Sequence, residues 1–123
     1  MDRRTVIATL SLAILALPAT ASAATSLTIR VYDRPIPAPP AHVYHLHCAP
    51  ASGTVPHPVL ACRRLFAATR PFAVLRECDT VDVITARVTG TFRGQTVDRA
   101  YLPCGPHMTA WKRLAALLGI PIR

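Results

Sequence analysis

Four cysteines, Cys48, Cys62, Cys78 and Cys104, are the residues of this 123-residue chain with the most chemistry in them. They contain no Cys-x-x-Cys pair, which argues against a zinc site or a redox motif and leaves disulfide staples as their use. Three connectivities are open to four cysteines. The first two enclose Ala-Pro-Ala-Ser-Gly-Thr-Val-Pro-His-Pro-Val-Leu-Ala, a segment too rich in proline and small residues for a helix, and the second two flank a pair of strands. His45 and His47 would share one strand face, with His42 and His57 near them in sequence, but no carboxylate or thiol accompanies them; no metal and no cofactor is expected. Ser52, in Ala-Ser-Gly-Thr, lacks the strand-turn-helix setting of a nucleophile elbow and reads as a turn residue, so the chain is not expected to be an enzyme.

The beginning of the chain supports a disulfide-permissive destination. Arg3 and Arg4 precede an apolar run from Val6 to Leu17, and Ala21-Ser22-Ala23 offers small residues for cleavage. This is the pattern of a removable export signal over residues 1–23, with the arginine pair a weak hint of the twin-arginine route beside the general secretory one. No apolar run reaches the roughly 20 residues of a membrane span, so residues 24–123 should form one soluble secreted domain. The net charge of +8 becomes about +7 when the first segment is removed. Its arginines are scattered among few aromatics, which disfavours nucleic-acid binding.

The elements that must hold the cysteines follow from periodicity. Leu27, Ile29 and Val31 alternate with polar residues over Ser26 to Tyr32, a half-buried strand. Pro35, Pro37, Pro39 and Pro40 break it into an extended connection. His42 to Cys48 is a second strand, with His42, Tyr44 and Leu46 on one side and Val43, His45 and His47 on the other. Ala61 to Thr69 is predicted helical, with Cys62, Leu65, Phe66 and Thr69 on one face, and Phe72 to Leu75 adds a further turn after Pro71. Val81 to Val88 is rich in β-branched residues, Gly90 and Gly94 supply a bulge or turn, and Gln95 to Leu102 returns. Thr109 caps a final helix to Leu118, within a tail from His107 to Arg123 that reads as an amphipathic helix with Trp111, Leu114, Leu117 and Leu118 clustered at spacings of three and four, where it covers the core. The sum is an α+β domain: an antiparallel sheet with one or two helices packed on one side.

The segment Leu46-His-Cys48-Ala-Pro-Ala-Ser-Gly-Thr-Val-Pro-His-Pro-Val-Leu-Ala-Cys62-Arg-Arg-Leu65 resembles the signature of the Streptomyces subtilisin inhibitor family, roughly L-x-C-x-P-x-S-G-T-H-P-x-P-x-x-A-C-x-x-L. Gly90-Thr-Phe-Arg-Gly94 stands where that family has G-x-W-x-G, and the resemblance covers most of residues 26 to 104. It implies a sheet of about five strands, disulfides Cys48–Cys62 and Cys78–Cys104, and usually a homodimer. It also implies an inhibitor of subtilisin-like or trypsin-like serine proteases. Carried onto this chain, the reactive bond is Thr80–Val81. Leu75, Arg76 and Glu77 would pair with the enzyme as an added strand, and Cys78, Asp79 and Asp82 would flank the bond. The chain departs from the family in having a loop one residue shorter, Thr80 where a long side chain is common, no proline after the bond, and a helical C-terminus in place of a short apolar strand. A noninhibitory secreted binding or structural module on the same scaffold is the alternative reading.

Overall fold

The computed structural model describes residues 24–78 and 83–122. Five antiparallel strands form one sheet: β1 (Thr25–Val31), β2 (His42–Cys48), β3 (Ser52–Gly53), β4 (Ala86–Phe92) and β5 (Gln95–Tyr101), in the order β3-β2-β1-β4-β5. Two helices, α1 (Pro58–Ala67) and α2 (Gly105–Leu118), complete the domain. The α+β class, the five strands and the helices on one side agree with the sequence-based expectation.

The central strand β1 obeys the period of two that its sequence announces. Leu27 and Ile29 are fully buried, while Ser26, Thr28 and Arg30 turn to the other face. In register beside Leu27 and Ile29 stand Leu46 and Tyr44 of β2 and Gly90 and Val88 of β4. Both helices lie over this face. Cys62 and Leu65 of α1 and Trp111, Leu114 and Leu118 of α2 join the same buried cluster as the strand residues, so α2 covers the core as expected. The opposite face carries His45, His47, Arg87 and Asp98 in the open.

Several element boundaries differ from expectation, each for a local reason. The first cysteine loop does contain helix: α1 begins at Pro58, four residues before Cys62. Proline is well placed at a first helical position, where its missing N–H would have no partner and its fixed φ already suits a helix. The helix ends at Ala67, leaving Thr69 outside, and Phe72 to Leu75 forms no helical turn. Ser52, expected in a turn, pairs with His47 in the two-residue β3. The strand expected over Val81 to Val88 begins only at Ala86 and runs on to Phe92; Val83 to Thr85 precede it, and Val81 and Asp82 lie outside the described residues. Gly90 is therefore inside the strand. The turn is Arg93-Gly94, a two-residue hairpin with φ of 51° and 78° that suits the twist of the flanking strands.

Gly90 is required where it stands. Its φ is +130°, and a Cβ there would sit 2.0 Å from the carbonyl oxygen of Ser26 on the neighbouring strand. Gly90→Ala should destabilise the fold by at least about 2 kcal/mol, the combined effect of a disfavoured dihedral and displaced strands. A urea melt measures this; a loss below about 0.5 kcal/mol would show that the strands part freely.

On the open face, the Arg87 guanidinium holds Asp98 in two hydrogen bonds of 3.1 Å. This contact keeps the Asp98 carboxyl below its ordinary value. A lowered folded-state value contributes stability above the unfolded pKa that is lost as pH falls through the folded one. Both groups are well exposed, so the contribution is small, at most about 1 kcal/mol. Asp98→Asn should flatten the acid limb of stability below the ordinary carboxylate range by that amount, read from Tm against pH.

Candidate functional site

The stretch from Phe72 to Cys78 has no regular secondary structure, yet it is fastened at intervals to β5 and α2. Phe72 is buried against Phe92, with ring centroids 5.3 Å apart, and its carbonyl accepts a 2.9 Å hydrogen bond from Arg99 Nε. Leu75 is half-buried against the core. The carbonyl of Arg76 accepts a hydrogen bond from His107 Nε2 on the first turn of α2. Cys78 is bonded to Cys104, the residue preceding α2, with Cα atoms 6.4 Å apart. The Arg76 and Glu77 side chains are exposed.

The chain returns to the sheet through Thr85. Its N–H donates to Tyr101 O at 2.8 Å, its carbonyl accepts from Tyr32 N–H at 2.9 Å, and its hydroxyl reaches Met108 Sδ at 3.7 Å. Tyr101 is packed beside Trp111 at 5.7 Å, and burial pushes its phenol up to about 12 against the opposing pull of Arg99. The phenol stays neutral at this apolar end of the core. The segment bounded by Cys78 and Thr85 thus has both ends attached to one corner of the molecule, where β5 runs into α2.

That corner owes its shape to Leu102-Pro103-Cys104-Gly105-Pro106-His107. The sequence pattern caps the last helix at Thr109, within an amphipathic tail read from His107; the helix starts at Gly105, with Cys104 as N-cap and Pro106 in the first turn, and the Thr109 hydroxyl instead donates to Gly105 O at 3.0 Å. The extra turn brings His107 into the core, 6% exposed. Its Nδ1 accepts from Leu102 N–H at 3.2 Å, so the ring is the neutral tautomer with its proton on Nε2, directed at Arg76 O. The two sulfurs and a His107 ring nitrogen lie within 4.8 Å of one another. Joined in a disulfide, the sulfurs are not the thiolates a metal would need.

At the other end of the molecule Cys48 is bonded to Cys62, tying β2 to α1, with Cα atoms 5.8 Å apart. Both pairings are those the resemblance implies. His45 and His47 lie on the exposed sheet face, as expected, and their Nδ1 atoms meet Thr28 Oγ1 and Ser26 Oγ at 3.3 and 3.0 Å. Among the site residues singled out from the sequence, Leu75, Arg76, Glu77 and Cys78 come together at the β5–α2 corner. Asp79, Thr80, Val81 and Asp82 lie outside the described residues, as does the expected signal segment 1–23.

A model of the family described as subtilisin inhibitor-like matches residues 21–102, more than half of the chain. The chain belongs to the subtilisin inhibitor-like family. This is a family of protease inhibitors rather than enzymes, and its partners in general are proteases. No curated protein matches the chain. The subtilisin inhibitor-like match stops short of α2, so the helix that receives both ends of the 78–85 segment lies beyond the matched residues. Among the described residues no helix is long and apolar enough to cross a membrane, and two disulfides fit an extracellular protein.

The two staples should act differently when removed. A loop-entropy treatment assigns about 3 kcal/mol to the shorter Cys48–Cys62 closure and about 3.5 kcal/mol to Cys78–Cys104. Replacing either pair by serine should lower Tm, but only the Cys78→Ser/Cys104→Ser protein should become rapidly cleaved between residues 75 and 85 by added subtilisin. Mass spectrometry of the fragments checks this, and equal susceptibility of both variants would show that the second staple has no local effect.

Proposed function

We propose that this protein is a secreted serine protease inhibitor that acts through the Thr80–Val81 bond. The observation that carries the reading is the attachment of both ends of the surrounding segment, at Arg76 and Cys78 on one side and Thr85 on the other, to the same rigid corner. An inhibitor of this type must offer a substrate-like chain whose ordering cost is already met before the protease arrives. After cleavage, ends held in place favour religation over release. With the Arg76 carbonyl held inward by His107 and the Arg76 and Glu77 side chains exposed, the stretch from Leu75 to Glu77 is open for the enzyme to add to as a strand.

Thr80 then fills the specificity pocket with a small β-branched side chain, and Glu77, Asp79 and Asp82 favour a protease with a basic rim. Export by residues 1–23 and pairing into a homodimer belong to the same proposal. The open sheet face available for such pairing is mostly polar, with His45, His47, Arg30 and Arg87 on it and Val43 as an exposed apolar residue. A dimer through this face would be held by hydrogen bonds and trapped water more than by apolar burial.

Titration of subtilisin, trypsin and an elastase-like protease with the purified protein tests the proposal, with near-stoichiometric slowing of at least one of them expected. Failure against all three would favour the noninhibitory module on the same scaffold. Thr80→Lys should shift inhibition toward trypsin and Thr80→Met toward subtilisin. Unchanged selectivity in both would place the reactive bond elsewhere.

A further inference from the structure

We propose that His107 is a positioning residue for inhibition: by clamping the Arg76 carbonyl it fixes the approach of the chain to the Thr80–Val81 bond and so resists cleavage there. The proposal rests on the inhibitory reading but concerns a residue beyond the family match, on the first turn of α2. Three observations carry it. His107 is buried, both of its ring nitrogens are engaged, and those two bonds join different elements: Leu102 at the end of β5 and Arg76 in the irregular stretch. The Leu102 bond sets the tautomer, and the tautomer sets the donor that Arg76 needs. The next residue on the turn, Met108, meets the Thr85 hydroxyl on the returning side.

Between Phe72, held by Arg99, and Cys78, held by Cys104, the described chain has its one hydrogen bond to a side chain at Arg76. A disulfide restrains one end of a chain but leaves rotation about it; a second attachment two residues earlier removes that freedom. Pre-organisation of this kind lowers the dissociation rate and the cleavage rate together, since both require the chain to leave its bound geometry.

Two substitutions separate the bonds. Asparagine places an acceptor where Nδ1 lies but does not reach Arg76, whereas glutamine places an amide donor near the position of Nε2. His107→Asn should therefore keep the Leu102 contact and lose the clamp, and His107→Gln should keep the clamp. Loss of a single hydrogen bond corresponds to about tenfold. In His107→Asn, amide exchange over residues 72–78 should accelerate by about that factor, with a matching rise in the inhibition constant and in the rate of loop cleavage by subtilisin. The Gln variant should stay near the wild type in all three. Equal exchange in wild type and both variants, or a defect in Gln with Asn unaffected, would overturn the role of His107. Exchange is read on the free protein, so a wild type that slows no protease overturns the proposed function by a separate measurement.

Discussion

Leu27 and Ile29 on the central strand need a cover, and the molecule supplies one on a single side. With the sheet antiparallel throughout, its other face can remain polar and wet, so α1 and α2 must share the same roof. That requirement determines how the chain can turn after β5. It has to fold back over the apolar face at once, and Pro103-Cys104-Gly105-Pro106 makes the reversal within the few residues between Tyr101 and the first helical turn. The corner that receives Arg76, Cys78 and Thr85 is a by-product of covering β1.

Aromatic packing extends the same logic to the hairpin. Phe92 at the end of β4 stacks on Phe66 of α1 and meets Phe72 edge to face, and Arg93 lies over both Phe66 and Phe92 while donating to the Phe66 carbonyl at 2.9 Å. Edge-to-face and offset rings prefer such separations, and the guanidinium satisfies a carbonyl near the helix end while capping the rings. The far end of the sheet is thereby joined to the start of the irregular stretch, whose Phe72 is the residue next held by Arg99.

Strands with clean alternation are legible in the amino-acid order itself. β1 lies within one residue of its expected bounds because one face is buried and the other is not; β2, which alternates less cleanly and is buried only at Leu46 and Cys48, keeps its expected bounds as well. β4 begins later than expected because β-branched residues at Val83, Ile84 and Thr85 look like strand wherever they occur, and it runs on past Val88 because a glycine inside a strand reads as a turn unless the neighbouring backbone is known to approach it. Both helix starts are hidden by proline, which signals a break in sequence but suits a first turn in space. The disulfide pairing comes from the family resemblance, since residue types alone leave it open. His107 falls inside the amphipathic tail read from the sequence, but its hold on Arg76 depends on a first helical turn that begins two residues earlier, at Gly105, where Gly-Pro followed by a run of helix formers is the available signal. Leu75, Arg76, Glu77 and Cys78 owe their common location to tertiary contacts at residues 99, 104 and 107 that no local pattern announces.

The anchors of the 72–85 stretch are drawn from Phe72, Arg76, Cys78 and Thr85, and three of them act through the backbone or a staple rather than through a side chain whose identity a target enzyme would read. A frame held in this way is indifferent to what it displays. Substitutions at the exposed positions beside those anchors, Arg76 and Glu77 among them, leave the anchoring bonds in place, so what the stretch displays can change while the domain beneath it stays as it is.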